Sequence, residues 1–292
     1  MRNWASANNV RVVRSTSSWM KRFALMAICA DALVNPVRAN PTIYGSAYNG
    51  TESPSTLYNI NPNTGAATPI GAVGFNGVSA IDFSSSGILY GVGISPASGA
   101  QELITINPAT GAGTAVGATT VDPSEHFQDI AFRHSDNALY GYEDGDIYTF
   151  NITTGVATFL GNADNYPSGN GLAFSPFDTL YKADDSNLST IDQSTGAGTV
   201  VEPLNYATSG DRVNGMKFDT LTGILWASVR AADTSCYLAN VDIDNGNVNE
   251  IGPTQSGLTA LGIAIAIIPE PGTFTLVGMG LVGLLTLRRR KK

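Results

Sequence analysis

The sequence predicts an all-β protein, a five-bladed β-propeller of four-stranded blades, and three observations lead there. The composition is rich in turn formers and poor in charge, with 32 glycines among 292 residues and 14% charged residues. One eleven-residue stretch is nearly repeated, as NPNTGAATPIG at 61–71 and NPATGAGTAVG at 107–117. Looser copies follow at a period of about 45 residues, which is typical of propeller blades.

Each copy of this repeat predicts a β-hairpin, whose two strands we call c and d. A first strand ends in Asn or Asp, a Thr-Gly turn follows, and a second strand ends near a glycine or its equivalent. Because the turn requires positive φ, glycine is the residue expected there. The copies occupy residues 56–71, 102–117, 146–161, 187–202 and 236–252, with turn glycines Gly65, Gly111, Gly155, Gly196 and Gly246.

Two further strands, a and b, are predicted before each hairpin after the first. Strand a has one face of large apolar residues, such as Ile81 and Phe83, and one face of small residues, such as Ala80. Strand b carries an aromatic residue in every unit: Tyr44, Tyr90, Tyr140, Tyr181 and Trp226. These rings could stack on sugars or pack between blades, and their recurrence in mid-strand favours packing. The a–b segments occupy residues 80–93, 129–142, 171–183 and 215–228.

The two ends of the repeat array predict how it closes. The first unit starts with a b strand at 42–47 and has no a strand before it. Residues 258–266, LTALGIAIA, form an a strand with no partners after it. We therefore expect this last strand to complete the first blade, which would remove the exposed sheet edges. The predicted domains are 1–39, 40–268 for the propeller, and 269–292.

The N-terminal segment predicts export. Residues 20–39 combine a basic start at Lys21 and Arg22, an apolar stretch, and Val37 and Ala39 at the −3 and −1 positions of a cleavage site. This arrangement is typical of a secretory signal peptide, so signal peptidase is an expected partner. Met20 is the expected start of translation, and a cytosolic amphipathic segment is the alternative interpretation.

The C-terminal segment predicts a sorting signal. Pro269, Glu270 and Pro271 precede an apolar run from about 273 to 287. A helix of that length spans about 22 Å, short of the ~30 Å hydrocarbon core, as expected for a removable signal. An ordinary tail anchor is the alternative. The chain ends in a basic cluster expected to stay cytoplasmic, formed by Arg288, Arg289, Arg290, Lys291 and Lys292.

The last 26 residues resemble the PEP-CTERM sorting signal, in which a PEP motif, a short transmembrane helix and a terminal arginine cluster occur in that order. The resemblance implies recognition of Pro269, Glu270 and Pro271 by an exosortase, a membrane transpeptidase-like enzyme of Gram-negative bacteria that make extracellular polysaccharide. It also implies a transient membrane anchor, followed by the cell surface or extracellular matrix. The repeat consensus loosely resembles uncharacterised propeller repeats of exported bacterial proteins, which implies no activity.

The distribution of charge excludes a nucleic-acid partner. Residues 40–268 hold five basic and 22 acidic residues, a formal charge of −17, whereas phosphate recognition requires a basic footprint. Cys236 is the only cysteine outside the signal peptide, so no disulfide framework is possible. His126 and His134 belong to no cluster with metal-ligand spacing, and no cofactor is predicted.

The connections from strand d to the next strand a hold the candidate ligand site. VGFNGV at 73–78 is short, whereas residues 119–128, 161–170 and 202–213 are long, polar and aromatic, and such variation on a regular scaffold often carries function. Solvated loop decoration is the alternative. The candidate contact residues are Glu125, His126, Asp129, Asp164, Tyr166, Tyr206, Asp211 and Arg212.

Two functions of different class follow from these loops. The first is a non-catalytic binding or structural protein of the cell surface, associated with exopolysaccharide. The second is a glycosidase or lyase in which Glu125, Asp164 and Asp211 act as acid, base and pKa modulator. Five-bladed glycosidases and lyases use such a layout, which is an analogy of fold alone. No strong catalytic motif is present, which favours the first function.

Overall fold

The computed structural model describes residues 40–48, 53–122, 126–163, 171–254 and 260–266. It divides the chain into Met1–Asn40 and Pro41–Lys292, and the first unit lies almost wholly outside the described residues. The predicted signal peptide and sorting segment, and the loop residues Glu125, Asp164 and Tyr166, also lie outside them.

The described residues form nineteen strands, in agreement with the predicted all-β class. They are β1 Ile43–Tyr48, β2 Pro54–Ile60, β3 Ala67–Phe83, β4 Leu89–Ile94, β5 Gln101–Ile106, β6 Gly113–Ala118, β7 Asp129–Phe132, β8 Leu139–Glu143, β9 Asp146–Phe150, β10 Ala157–Asn162, β11 Gly171–Phe174, β12 Leu180–Ala183, β13 Asn187–Ile191, β14 Gly198–Pro203, β15 Arg212–Phe218, β16 Leu225–Arg230, β17 Cys236–Val241, β18 Val248–Pro253 and β19 Ala260–Ile265.

The strands form antiparallel sheets in the predicted a–b–c–d order. Three sheets have four strands each: β7 to β10, β11 to β14 and β15 to β18. A fourth sheet has seven strands in the order β19-β1-β2-β3-β4-β5-β6. It joins two four-stranded units because β3 is continuous from Ala67 to Phe83. The predicted short loop at 73–78 is therefore wrong: this segment is strand with register shifts, acting first as a d strand and then as an a strand.

The core lies between neighbouring sheets. The aromatic residue of each b strand packs against the last large residue of the a strand in the following unit. Ring centroids lie 5.3 to 5.5 Å apart in Tyr44–Phe83, Tyr90–Phe132, Tyr140–Phe174 and Tyr181–Phe218. Trp226 lies in the same cluster as Ile263 and Ile265 of β19. The interpretation that these rings pack between units is confirmed.

The a strands contact one another in succession. β3 contacts β7, β7 contacts β11, β11 contacts β15, β15 contacts β19, and β19 contacts β3. In addition, β19 pairs antiparallel with β1 over six residues, from Ile43 opposite Ile265 to Tyr48 opposite Ala260. The last described strand is thus part of the same sheet as the first.

The repeat motif has a structural purpose that explains its recurrence. All five turn glycines have positive φ, between 70° and 84°. A Cβ on the turn glycine of one unit would meet the backbone near the end of the d strand in the preceding unit. The contacts are Gly111 on Gly71, Gly155 on Gly117, Gly196 on Gly161, Gly246 on Pro203 and Gly65 on Gly252. The Thr-Gly turn of one unit therefore packs on the end of the d strand, usually a glycine, in the preceding unit.

Replacing Gly111 with Ala tests this contact, and Gly99→Ala is the matched control. Both glycines have positive φ, but a Cβ at Gly99 meets nothing within 4 Å, whereas at Gly111 it lies 2.5 Å from the Gly71 carbonyl oxygen. We expect Gly99→Ala to lower the free energy of unfolding by about 1–2 kcal/mol, from the left-handed backbone alone. Gly111→Ala should cost about 1–3 kcal/mol more because of the clash. Equal losses in urea unfolding would contradict the proposed role.

Cys236 is expected to be chemically silent in the folded protein. Its side chain is buried in the cluster with Trp226 and Leu238, and burial raises the pKa of the thiol to about 11. Since the thiolate is the reactive form, alkylation by iodoacetamide at pH 8 should be at least ~100-fold slower than in the unfolded chain. Mass spectrometry of the peptide that contains Cys236 measures both rates, and similar rates would show that the site is open.

Candidate functional site

A surface cavity lies at the end of the molecule that carries the d–a and b–c connections. Its volume is about 470 Å³. The connection between β14 and β15 forms most of its wall, and the connection between β12 and β13 forms the rest. The lining residues are Asp185, Ser186, Leu204, Asn205, Tyr206, Thr208, Ser209, Gly210, Asp211 and Arg212. The structure therefore brings three of the predicted contact residues, Tyr206, Asp211 and Arg212, into one cavity.

Asp211 and Tyr206 shape the cavity wall. Asp211 is buried, and its two carboxylate oxygens accept hydrogen bonds from the Ala232 amide (3.0 Å) and the Tyr237 hydroxyl (2.8 Å). The Tyr206 hydroxyl accepts a hydrogen bond from the Val213 amide at 3.1 Å. Burial raises the pKa of the Tyr206 and Tyr237 hydroxyl groups well above the usual value, so both stay protonated at neutral pH. Asp211 thus holds the loop in place.

Two other lining residues carry polar groups that have no hydrogen-bond or ion-pair partner among the described residues. The Oδ1 atom of Asp185 is buried and accepts no hydrogen bond in the structure. A buried acceptor without a donor is costly, so a donor supplied by a ligand or by water would stabilise it. Arg212 makes no ion pair with any described residue, although its guanidinium group can donate five hydrogen bonds. Sequence reasoning missed Asp185, which lies in a short connection without an aromatic neighbour.

His126 does not line this cavity. It precedes β7 and the buried Phe127, whose ring packs on Tyr148 and Phe150. Partial burial lowers the pKa of His126, so the imidazole is neutral at pH 7. No contact among the described residues connects His126 with Tyr206 or Arg212.

Asp129 lies in the interior instead of on the loop surface where the sequence suggested a ligand contact. The Lys217 ammonium lies 2.7 Å from Asp129 Oδ1, and both side chains are almost fully buried. Nζ also donates to the carbonyl oxygens of Leu172 and Met216. The Asp129 carboxylate accepts further hydrogen bonds from the amides of Ile130, Leu172 and Met216. This network ties β7, β11 and β15 together.

A second buried carboxylate extends the network. Asp82 accepts hydrogen bonds from the Phe132 and Phe83 amides, both at 2.8 Å, and so ties β3 to β7. Burial raises the pKa of Asp82, and it raises the pKa of Asp129 to about 7 although Lys217 opposes the shift. Sequence reasoning missed Asp82 and Lys217. The available signal was a charged residue inside the short stretches AIDF (80–83) and GMKF (215–218), whose other positions are small or apolar.

The adjoining cavity is too small for an organic ligand. It has a volume of about 20 Å³ and is lined by the ends of β3, β15 and β19 together with His134. That volume accommodates one water molecule. In the described part of the chain, no group of three or more His, Cys, Asp or Glu side chains is arranged to hold a metal ion. The larger cavity at Tyr206 is therefore the better candidate for ligand binding.

The fold and the cavity define an all-β protein of propeller-like architecture. TolB from Acinetobacter baumannii shares this fold at a TM-score of 0.50 and 12% identity, over 82% of this chain and 60% of that chain. The chain thus spans less than two thirds of that protein's length. A gluconolactonase from Xanthomonas campestris aligns at a TM-score of 0.42 and 14% identity, over 73% of this chain and 76% of that chain. A comparison with curated proteins found no match.

Residues 268–291 match the family model described as the PEP-CTERM protein-sorting motif, so the chain carries this sorting motif at its C-terminal end. The motif implies processing by an exosortase-type enzyme. It also implies export and C-terminal anchoring before sorting to the cell surface. Among the described residues there is no helix of the length and apolarity needed to cross a membrane.

Proposed function

We propose that the chain is a non-catalytic surface protein of a Gram-negative bacterium whose closed five-bladed propeller binds saccharide units of an exopolysaccharide. The observation that carries the proposal is the cavity of about 470 Å³, which is lined by Tyr206, by Arg212 and by Asp185 with its unsatisfied Oδ1 atom. The proposed domains are 1–39 as extension and signal peptide, 40–268 as propeller, and 269–292 as sorting signal.

Two sets of contacts support a closed ring of five blades. The contacts between a strands run from β3 through β7, β11 and β15 to β19, which returns to β3. The contacts of the turn glycines follow the same order and include Gly65 on Gly252, between the first unit and the last. Pairing of β19 with β1 leaves no b strand at a sheet edge, and the a-strand edges of the sheets lie against one another.

The chemistry of the cavity fits a neutral saccharide. A hydroxyl group can accept from Arg212, and it can donate to the buried Asp185 Oδ1 once that side chain turns toward the cavity. An aromatic ring provides an apolar surface for a sugar face. The formal charge of −17 over residues 40–268 would repel an anionic polymer. We therefore expect neutral polysaccharide to bind more tightly than uronic-acid polymers at low salt.

Size-exclusion chromatography with light scattering tests binding. Residues 40–268 are mixed with the producer's own extracellular polysaccharide, and co-elution with unchanged polymer mass is the expected result. Asp185→Asn and Arg212→Ala should each reduce the co-eluting fraction several-fold. Asp136→Asn, on the exposed turn between β7 and β8 and outside the cavity lining, is the matched control and should have no effect. Co-elution that is insensitive to all three variants would place binding elsewhere.

The same experiment distinguishes the enzyme alternative. A fall in polymer mass over hours would indicate a glycosidase or lyase. The triple replacement of Glu125, Asp164 and Asp211 by Ala should then abolish the fall. Because Asp211 bonds the Tyr237 hydroxyl and the Ala232 amide, Asp211→Asn with intact melting temperature is the better single variant.

Sorting by an exosortase-type enzyme is tested at the motif itself. Replacing Pro269, Glu270 and Pro271 with Ala in the producing bacterium should leave the C-terminal segment attached and the protein in the membrane fraction. Replacing Thr273, Phe274 and Thr275 with Ala is a control that keeps the motif and the basic tail. If the tail of the first variant is processed and the protein sorted as before, the motif is not the recognition element.

A further inference from the structure

The a–b turns form a connected surface at the end of the molecule opposite the Tyr206 cavity, which we call the turn face. It comprises residues 84–88, 133–138, 175–179 and 219–224. Asn137 Oδ1 accepts hydrogen bonds from the Ser85 amide and hydroxyl at 2.8 and 3.0 Å. Asp178 accepts from the His134 and Ser135 amides at 2.9 and 3.2 Å. These bonds join the turns of successive units, so the surface is held in a fixed arrangement.

Large apolar side chains are exposed on this face. Phe177 is 92% exposed and Leu221 is 52% exposed, and Ile88 and Ile224 are also exposed at turn positions. Single exposed apolar residues are common, but here four of them occur on turns at one end. The other exposed large apolar residues among those described are Val156 on a c–d turn and Phe159, Val200 and Val201 on outer strands.

The charged groups of the turn face are already satisfied. Asp136 pairs with Arg133 at 2.6 Å, and Asp178 accepts the two amides named above. Asp219 accepts hydrogen bonds from the Leu221 amide and the Thr222 hydroxyl. The face therefore has no cluster of free cations that would select an anionic partner, and its most prominent groups are apolar.

The chain leaves the described structure at this same end. Ala266 lines the small cavity together with Phe83, His134 and Phe218, which are the C-terminal ends of a strands or lie just beyond them. Its amide donates to the Thr42 carbonyl oxygen at 3.0 Å, which fixes the exit point. Residues 267–272 separate Ala266 from the apolar run that begins at Thr273. Fully extended, that connection spans at most about 25 Å.

We propose that the turn face lies against the bilayer surface while the chain is anchored, with Phe177 and Leu221 inserted among the lipids. This inference rests on the C-terminal anchoring that the sorting motif implies. A tether this short keeps Ala266 close to the membrane, and the exposed apolar side chains lie at the same end of the molecule as that exit point. Burying them in the interface is favourable in proportion to their apolar area. The Tyr206 cavity then faces away from the membrane, toward extracellular polymer.

Spin labels on residues 40–292, the chain without its signal peptide but with its C-terminal anchor, test the orientation in vesicles of phosphatidylcholine. Nitroxides are placed at positions 177 and 221 and, as matched controls of similar or lower exposure, at 159 and 200 on the outer strands. Phe159 and Val200 are 56% and 60% exposed. The ratio of accessibility to oxygen over accessibility to a water-soluble nickel chelate should be several-fold higher at 177 and 221 than at the controls.

Three results would overturn the inference, and they are distinguishable. If the chain does not float with the vesicles, the anchoring itself fails, and the inference with it. If the chain floats but all four positions give the same ratio, the anchoring stands and the orientation is wrong. If positions 177 and 221 are protected from both reagents, the turn face contacts protein instead of lipid.

Discussion

A chain that ends at Thr254 is expected to lose cooperative folding, whereas one that ends at residue 268 is expected to keep it. The shorter chain lacks β19, which pairs with β1 over six residues and contacts β3 and β15. Without it, β1 is left as an unpaired edge, and the Ser228 hydroxyl loses the Leu261 carbonyl oxygen to which it donates. An unpaired edge also provides a site for aggregation.

The size of the effect follows from the side chains that β19 buries. Leu261 and Ile263 are fully buried and Ile265 nearly so. Burial of three such side chains contributes roughly 5–9 kcal/mol, which is comparable to the whole stability of many domains. We therefore expect the truncated chain to be largely unfolded or associated.

Circular dichroism, urea unfolding and size-exclusion chromatography of residues 40–254 and 40–268 measure this effect. The longer chain is the control for loss of the sorting segment. Gly262→Ala is a point variant of the same test, because a Cβ at Gly262 would collide with the Ser79 carbonyl oxygen of β3. Cooperative unfolding of residues 40–254 within about 1 kcal/mol of the control would show that β19 does not close the fold.

Lys217→Met is expected to lower the free energy of unfolding by about 3–5 kcal/mol, because it leaves the buried Asp129 carboxylate without its cation. Asp129 would still accept three amide hydrogen bonds, but Lys217 also bonds two carbonyl oxygens that would lose a donor. Since these groups belong to β7, β11 and β15, the loss affects three units at once.

The stability that Lys217→Met removes is expected to increase with pH. The pKa of Asp129 in the folded protein is about 7, above the unfolded value of 3.8, so this carboxyl contributes stability below pH 3.8 that is lost as pH rises through 7. Without Lys217 the folded pKa rises further, so the variant continues to lose stability above pH 7 where the wild type no longer does. The difference between the two proteins is therefore expected to widen from pH 7 to pH 9.

Two further variants separate the ion pair from general damage. In the double variant Lys217→Met with Asp129→Asn, part of the stability should return, because the Asn side chain removes the buried charge and keeps an oxygen that accepts hydrogen bonds from the backbone amides. Asp136→Asn removes the exposed pair with Arg133 and should cost no more than about 1 kcal/mol. Urea unfolding of all four proteins decides the matter. A double variant as unstable as Lys217→Met alone would contradict the ion-pair explanation.

The repeating strands could be predicted from the sequence because their signals are local. The Thr-Gly turns, the alternation of large and small residues in the a strands, and the aromatic residue of each b strand all occur within a few residues of one another. The one segment predicted wrongly, residues 73–78, has two glycines and an asparagine, which are typical of a turn. In the structure the segment stays within β3, where Asn76 pairs with Pro54 and Ile94, while Gly74 and Gly77 have positive φ.

The candidate site was predictable only in part. Tyr206 and Arg212 were found because their loop is long and aromatic, and the structure places both in one cavity. Asp129 resembled a loop carboxylate because it follows a polar loop, yet it is the first residue of an interior strand. Asp185 gave no local signal, because its importance comes from the β14–β15 connection, which lines the same cavity and is distant from it in sequence.

The sequence by itself determined the strand order, the positive-φ turns, the packing role of the b-strand aromatics and the sorting signal at the C-terminus. Each depends on a short stretch whose backbone conformation or apolar face is set by neighbouring residues. Only the tertiary structure decided that Gly111 packs on Gly71 and that Lys217 pairs with Asp129 across 88 positions of the chain. It also decided that Ala266 lies at the same end of the molecule as the turns with the exposed Phe177 and Leu221. Those contacts depend on how the sheets pack against one another. Residues that are distant in sequence interact only after this packing has formed, so no short stretch of sequence predicts their contact.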